Sequence, residues 1–527
     1  MEPAPPTSDS EFLRRPFLDL IGTLPTPEEA REFLKSAEPE KRARLIDRLL
    51  DPPEFVDHWS LKWGDLLRVH HRYVGDKGVG SFGSWVRQAV RENWPVDKLA
   101  RELLTAQGNV FSSGPAAFYF VDQKPDEFAE TTVQVFLGVR LQCTKCHHHP
   151  FETWSQDDYF GLAAFFTRLD VKENNESGLE GRFGGARSIR AIAIESPKRK
   201  LGVAAAPHWF GSPPPALDGV ADVRVLLADW ITRPDNPYFA RNFANRFWAY
   251  LMGCGLVEAF DDHRATNPPS NHELLAALVR DFTENRFDVK HLLRTICNSR
   301  VYQLASEFDR GPDVRRGSPD PAVPPDRRSP HQTGDLRSTE GLGQETKPEP
   351  PPDADGEFFT HRVPRRIPAE VLLDAISQAT ESREAFAGLP AGTRAISLPD
   401  PAVVSYFLTT LGRPLRNSPC ECARTSQPDL TQALHLVNGP TIHQKVTAET
   451  GRVARLLKAG RPDADIIEDL YLATLSRLPT AAERQTVTEL LADAPSQKEG
   501  FEDLLWTLLN ISEFVFTDSC IDICAWS

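Results

Sequence analysis

The feature that most constrains this chain is a stretch that cannot fold. Residues 309–357 hold ten prolines among many Asp, Arg, Gly and Ser, with Val314, Val323, Leu336 and Leu342 as their larger apolar side chains. Such a segment cannot bury enough surface to offset its ordering entropy, so it is expected to be a disordered linker that splits the chain. The flanking sequence is long enough for more than one core: the chain has 527 residues, 40% of them hydrophobic.

Elsewhere the apolar residues recur at three or four positions, over 126–139, 237–252, 288–296, 368–379 and 465–475. That period predicts helices. Thr26-Pro27-Glu28-Glu29 is a capping box with proline at the first helical position, where its missing N–H costs nothing. Ser270-Asn271-His272-Glu273 is read as a second box, ahead of Leu274, Leu275 and Leu278. Period-two alternation is scarce; residues 191–194 form one short strand candidate. The expected fold is therefore mainly α, a multi-helical two-part protein with long irregular and disordered connections. Residues 172–218, rich in Gly and Pro, are the second irregular connection.

The two ends of the chain echo each other. Phe17-Leu18, Leu24-Pro25-Thr26 and Glu29 correspond to Tyr471-Leu472, Leu478-Pro479-Thr480 and Glu483. Each copy closes on Glu-Phe-Val, at Glu54-Phe55-Val56 and Glu513-Phe514-Val515, with the spacing five residues longer in the second. Either a common helix, capped turn and helix occurs twice, or the two hairpins pack as a pair.

Charge and hydropathy remove some functions. The net charge of -14 repels phosphate backbones, which argues against a nucleic-acid binder. Mean hydropathy is -0.38 and no apolar run is long enough for a transmembrane helix. The first residues, Met1-Glu-Pro-Ala-Pro-Pro, lack a basic n-region and an apolar h-region, so no signal peptide is read there.

Eight cysteines are too few for a disulfide scaffold of this length, but their placement is informative. Cys143-Thr144-Lys145-Cys146-His147 is the C-x-x-C-H pattern of c-type haem attachment. Two thiols three positions apart can each add to one vinyl group of a single haem, and the next histidine then lies under the iron as an axial ligand. Lys145 is the solvent-facing spacer. His149 is too close in sequence to His147 to reach the opposite face. A sixth ligand would come from His58, His70, His71, His208 or His263, or be absent; Met252, the only internal methionine, lies in a stretch that reads as core. Two other readings stay open. Cys143, Cys146 and His147 or His149 are also zinc or iron ligands, with Cys420 and Cys422 as outside donors and His435 as a co-ligand. Or the thiols form a plain disulfide or dithiol.

The run from Phe136-Leu137-Gly138-Val139-Arg140-Leu141-Gln142 through Cys143-Thr144-Lys145-Cys146-His147-His148-His149-Pro150-Phe151 to Trp154, Tyr159, Phe160, Phe165 and Phe166 resembles the planctomycete secreted cytochrome-like domain of unknown function. Phe12-Leu13-Arg14-Arg15 and Trp63-Gly64-Asp65-Leu66 resemble that domain's opening. Asn236-Pro237, Asn245-Arg246, Trp248, Asp261-Asp262, Arg264, Pro368-Ala369-Glu370, Cys420-Glu421-Cys422 and Gln432–Gly439 resemble its usual C-terminal companion, a second planctomycete secreted domain of unknown function. The resemblance divides the chain into 1–171, the cytochrome-like domain; 172–218; 219–308 and 358–517, the companion's two parts around the 309–357 linker; and 518–527, an atypical tail. It implies a periplasmic or secreted redox or electron-transfer protein with one haem c on Cys143, Cys146 and His147, and an unidentified redox or protein partner. The alternatives that remain are a non-haem zinc or iron protein and a structural or partner-binding module without catalysis.

Three other groups have bland and sharp readings. Asp261, Asp262 and Arg264 are read as a loop brace before a cation site. Asn245, Arg246 and Trp248 are read as a buried, paired arginine under a core tryptophan before a sugar- or carboxylate-binding patch. The aromatics after the motif are read as helix packing, some of them lining a haem pocket in the cytochrome reading.

Overall fold

The computed structural model describes residues 2–149, 152–174, 186–191, 205–210, 212–306, 353, 356, 358–419 and 430–518. Among the described residues it is mainly helical, with a small antiparallel sheet in which Ala186–Ala191 lies between Gly108–Asn109 and Leu169–Asn174. The described strand reaches Ala191, the first residue of the alternation at 191–194; residues 192–194 lie outside the described set, as does most of the 309–357 linker.

The predicted helices form as Pro125–Leu137, Phe239–Met252, Val289–Asn298, Ala369–Thr380 and Asp463–Leu475. Thr26 caps Pro27–Lys35 with the full Thr–Glu box. The helix at 272 is capped differently from expectation: Asn271, not Ser270, accepts the Leu274 N–H (2.9 Å). Asn and Ser serve equally well as caps, and here Ser270 is held by Leu256, its N–H donating to that carbonyl.

Apolar side chains gather in two cores. One unites residues 12–302, bringing Trp59 and Trp63 of helix Pro53–Leu66 against Phe247 and Phe243 of helix Phe239–Met252 (ring centroids 5.4 and 5.8 Å). The other is built from residues 367–516, with Leu18, Leu24 and Leu61 reaching into it. Residues 223–302 thus share their core with the N-terminal part, Phe359 and Leu472 join it from beyond the proline-rich linker, and most of the second core lies after that linker.

The echoing ends form alike and meet. Gly22 (φ 58°) and Ser476 (φ 59°) hold the same left-handed cap, and Thr26–Glu29 and Thr480–Glu483 form the same box. Helix Pro27–Lys35 packs on helix Asp463–Leu475, with Arg31 on Glu468 at 3.0 Å. Arg14 donates to the carbonyls of Thr474 and Phe514, both at 2.7 Å.

A buried charge cluster closes the fold. Arg15 and Arg362 pair with Asp518, Arg362 and Arg365 pair with Asp19, and the Tyr302 hydroxyl donates to Asp19 (2.9 Å). Asp518, the first residue of the stretch that reads as an atypical tail, is 4% exposed. No helix among the described residues is long and apolar enough to cross a membrane.

Candidate functional site

Helix Pro125–Leu137 stops at Gly138, whose φ of 65° suits a residue without a side chain. Packing demands glycine as well: a Cβ there would stand 2.5 Å from His263 Cδ2 and 2.6 Å from Asn242 Oδ1. The chain then turns into the short 3-10 helix Gln142–Lys145, which carries Cys143 to Lys145 of the motif, with Cys146 as its C-cap and His147 just beyond.

Thr144 is the anchor of that turn. It is fully buried, and both its N–H and its hydroxyl donate to the Leu141 carbonyl (2.8 and 2.6 Å). Cys143 and Cys146, on either side, are exposed free thiols. His147 is exposed too, with Nδ1 2.7 Å from the His148 carbonyl. A carbonyl only accepts, so this contact places the proton on Nδ1 and leaves the Nε2 lone pair for a metal. Lys145 is less free than a spacer, since its ammonium sits 2.7 Å from Asp126. Two accessible thiols and an imidazole in its ligating tautomer are the donor set that covalent haem attachment requires.

The three histidines divide. His148 Nδ1 accepts from the Gln156 N–H (3.3 Å), while Gln156 Nε2 donates to the Lys145 carbonyl (2.9 Å), so the loop is laced to helix Gln156–Ala164. His149 is buried edge-on against Trp154 (5.4 Å). Pro150, Phe151, Cys420 and Cys422 lie outside the described residues.

The aromatics after the motif pack as expected. Trp154 stacks on Phe210, Phe165 on Trp209 and Trp209 on Trp230. The Tyr159 hydroxyl donates to Glu130 (2.6 Å).

The loop brace is the reading that holds for Asp261, Asp262 and Arg264. Asp261 accepts from Gln134 (2.7 Å) and pairs with Arg140, Asp262 pairs with Arg264 (2.7 Å), and His263 N–H donates to the Gly138 carbonyl (2.8 Å). Asp261 and His263 thus tie Gln134, Gly138 and Arg140, which lead into the motif, to the loop at 261–264. His263 lies behind Gly138 with neither ring nitrogen hydrogen-bonded; burial first, then Arg241 and Arg246, push its pKa down to about 3.

Asn245 clamps the backbone of Val257 from both sides (2.9 and 3.0 Å), and Trp248 packs edge-on against Phe359. Arg246 is buried as expected but is not paired: none of its three guanidinium nitrogens has a hydrogen-bond partner, and it lies over the Phe260 ring at 5.3 Å. The remaining histidines scatter. His58 is buried beside Trp59, His208 lies over Gly161 near Asp158 (3.8 Å), His435 sits among Tyr406 and Phe407, and His70 and His71 face Asp400. Met252 is core, its sulfur accepting from Arg362 (3.1 Å).

Periodicity did not foretell a cleft of about 780 Å³ between the N-terminal segment and helix Ala369–Thr380, lined by Thr23, Arg48, Asp374, Gln378, Arg394 and Arg452. Asp374 is a buried carboxyl there. Burial raises its pKa to about 6, against the opposing pull of Arg394 and the Ile396 and Ala395 amides. Those two N–H groups occupy its oxygens (3.1 and 2.7 Å), which makes it the anchor of the turn at 395–397.

The model of the PSCyt2 family, described as a protein of unknown function (DUF1549), matches residues 1–171. The model of the PSD1 family, described as a protein of unknown function (DUF1553), matches residues 223–321 and 342–491, on both sides of the proline-rich segment. No curated protein and no solved structure matches.

Proposed function

We propose that this chain, which belongs to the PSCyt2 family in its N-terminal third and to the PSD1 family beyond it, is a cell-envelope c-type cytochrome-like redox or electron-transfer protein. Cys143 and Cys146 would hold a haem through thioether bonds, and His147 would bind its iron. A haem held there supplies a one-electron iron couple. The chain's own part is positional. Thr144 fixes the turn so that the sulfurs on either side face outward, and the His148 carbonyl orients the His147 ring. The brace from Asp261 to Arg264 holds the loop on the helical core.

The observation that carries this reading is the exposure of Cys143, Cys146 and His147 together, beside a fully buried Thr144. A structural thiol pair would be expected inside, bonded or packed. The envelope location rests on the family resemblance and on the chemistry, because haem attachment occurs outside the cytoplasm in bacteria that secrete such domains.

The test is a pyridine haemochrome spectrum of the full chain, matured with an envelope-targeting leader in cells that carry the attachment machinery. The expected result is a haem c band that survives acid–acetone extraction and vanishes in C143S/C146S. A folded, exported protein without that band overturns the proposal.

A further inference from the structure

His70 and His71 lie in the segment matched by the first family and Asp400 in that matched by the second, yet their side chains converge. One ligand atom from each lies within 4.8 Å of the others. His70 Nδ1 is 3.5 Å from Asp400 Oδ1, and His71 Nδ1 is 3.1 Å from Asp400 Oδ2. Ligands bonded to one tetrahedral zinc at about 2.0–2.1 Å stand about 3.3 Å from each other, so each histidine is near coordination spacing from one oxygen of Asp400, and a modest closure brings three ligand atoms onto one ion.

Local structure explains the convergence. His70 caps helix His71–Arg91 in extended backbone, which turns both imidazoles to the same side with centroids 4.7 Å apart. Asp400 is fixed from behind, one oxygen accepting the Ala402 N–H (2.7 Å) and the other the His71 N–H. The side chains of His70 and Asp400 are 12% and 11% exposed, while that of His71 is 44% exposed and leaves the point open to solvent. We propose that His70, His71 and Asp400 form a site for a divalent transition metal of the zinc class, a two-histidine, one-carboxylate set with open positions that clasps the two family segments together.

Two features oppose the site. The Arg72 N–H donates to His70 Nδ1 (3.2 Å), a bond that a metal on that nitrogen replaces. The Arg416 guanidinium is nearby, but it is engaged by Asp65 (2.8 Å) and by the Val69 carbonyl (2.7 Å). The inference does not depend on the haem reading.

The test uses the full chain as C143S/C146S, stripped with chelator, so that the C-x-x-C-H motif contributes nothing. Zinc is titrated against a chromophoric chelator, and cobalt is added in parallel for its d–d spectrum. The parent is expected to bind one more equivalent than H71A or D400N, with affinity in those variants at least about 100-fold weaker. Zinc should raise the melting temperature of the parent and leave that of D400N unmoved. H71A keeps the fold testable, because His71 is the most exposed of the three. Equal zinc stoichiometry in the parent, H71A and D400N, or a cobalt spectrum indifferent to both substitutions, overturns the proposal and leaves a hydrogen-bonded brace.

Discussion

Arg15 and Asp518 form an ion pair at 2.6 Å with both side chains 1% exposed, although 503 residues separate them. Asp518 also faces Arg362, so one carboxylate serves two buried guanidiniums. Removing its charge leaves Arg15 without a carboxylate partner and Arg362 with Asp19 alone; breaking a buried pair in this way typically costs about 3–5 kcal/mol. Asp518→Asn is expected to lose that much in denaturant unfolding.

The same variant has a pH signature. Burial raises the Asp518 pKa, but Arg15 and Arg362 overcome that and hold it below the ordinary value. A depressed carboxyl contributes stability above the unfolded pKa of about 3.9 and loses it as pH falls through the folded value. The stability gap between wild type and D518N should therefore shrink below about pH 4. A gap that widens in acid contradicts the assignment.

Asp374 should behave in the opposite sense. Its pKa is raised to about 6, chiefly by burial, so its contribution is full below about pH 3.9 and is lost as pH rises through about 6. The wild-type advantage over D374N is expected to fall by roughly 3 kcal/mol between pH 3.5 and pH 7. Paired unfolding curves at the two pH values measure it, and a flat difference would sink the reading of Asp374 as a buried, desolvated acid.

Arg246 has no hydrogen-bond partner and is 1% exposed, so it carries a desolvation cost that no ion pair offsets. Its contact with the Phe260 ring recovers a part. Replacing buried charge with an apolar side chain of similar volume is often stabilising by about 1–4 kcal/mol. Arg246→Met should therefore raise the melting temperature; a lower one means that the guanidinium serves an interaction worth more than its burial costs.

Gly138 ties the motif's loop to the fold. Gly138→Ala combines a left-handed backbone with a Cβ that meets His263 and Asn242. The expected loss exceeds about 1 kcal/mol, with the haem c yield falling in step. Unchanged stability would mean that the loop can shift away from His263.

The helices were legible because an apolar period of three to four reports which face is buried, and Thr26 and Thr480 announce their own caps. Asn271 and Ser270 are chemically equivalent candidates, so local sequence could not choose between them. The motif at 143–147 was legible as chemistry. Its exposure was not, since that depends on Thr144 being the residue that turns inward. Arg15 with Asp518, and His71 with Asp400, were beyond reach for a different reason. Each partner alone is an ordinary polar residue, and only the tertiary fold brings it to the other. A tail that does not resemble its family gives no hint that its first residue neutralises the core.

The exposure pattern of the thiols makes the last prediction. Cys143 and Cys146 are exposed, Cys254 is half-buried and Cys297 is buried. Burial first, then Glu258, pushes the Cys254 thiol up to about 11, and burial raises Cys297 as well. Alkylation needs the thiolate, and the higher nucleophilicity of a less acidic thiol recovers only part of the loss. In the haem-free protein at pH 8, iodoacetamide followed by peptide mass mapping should, among the four described cysteines, modify Cys143 and Cys146 first. Cys254 should react at least about tenfold more slowly, and Cys297 only once denaturant is present. The haem-loaded protein should lose the first two sites and keep the other two unchanged. If Cys143 and Cys146 resist alkylation in the haem-free form, they are not the open donors on which the cytochrome reading depends.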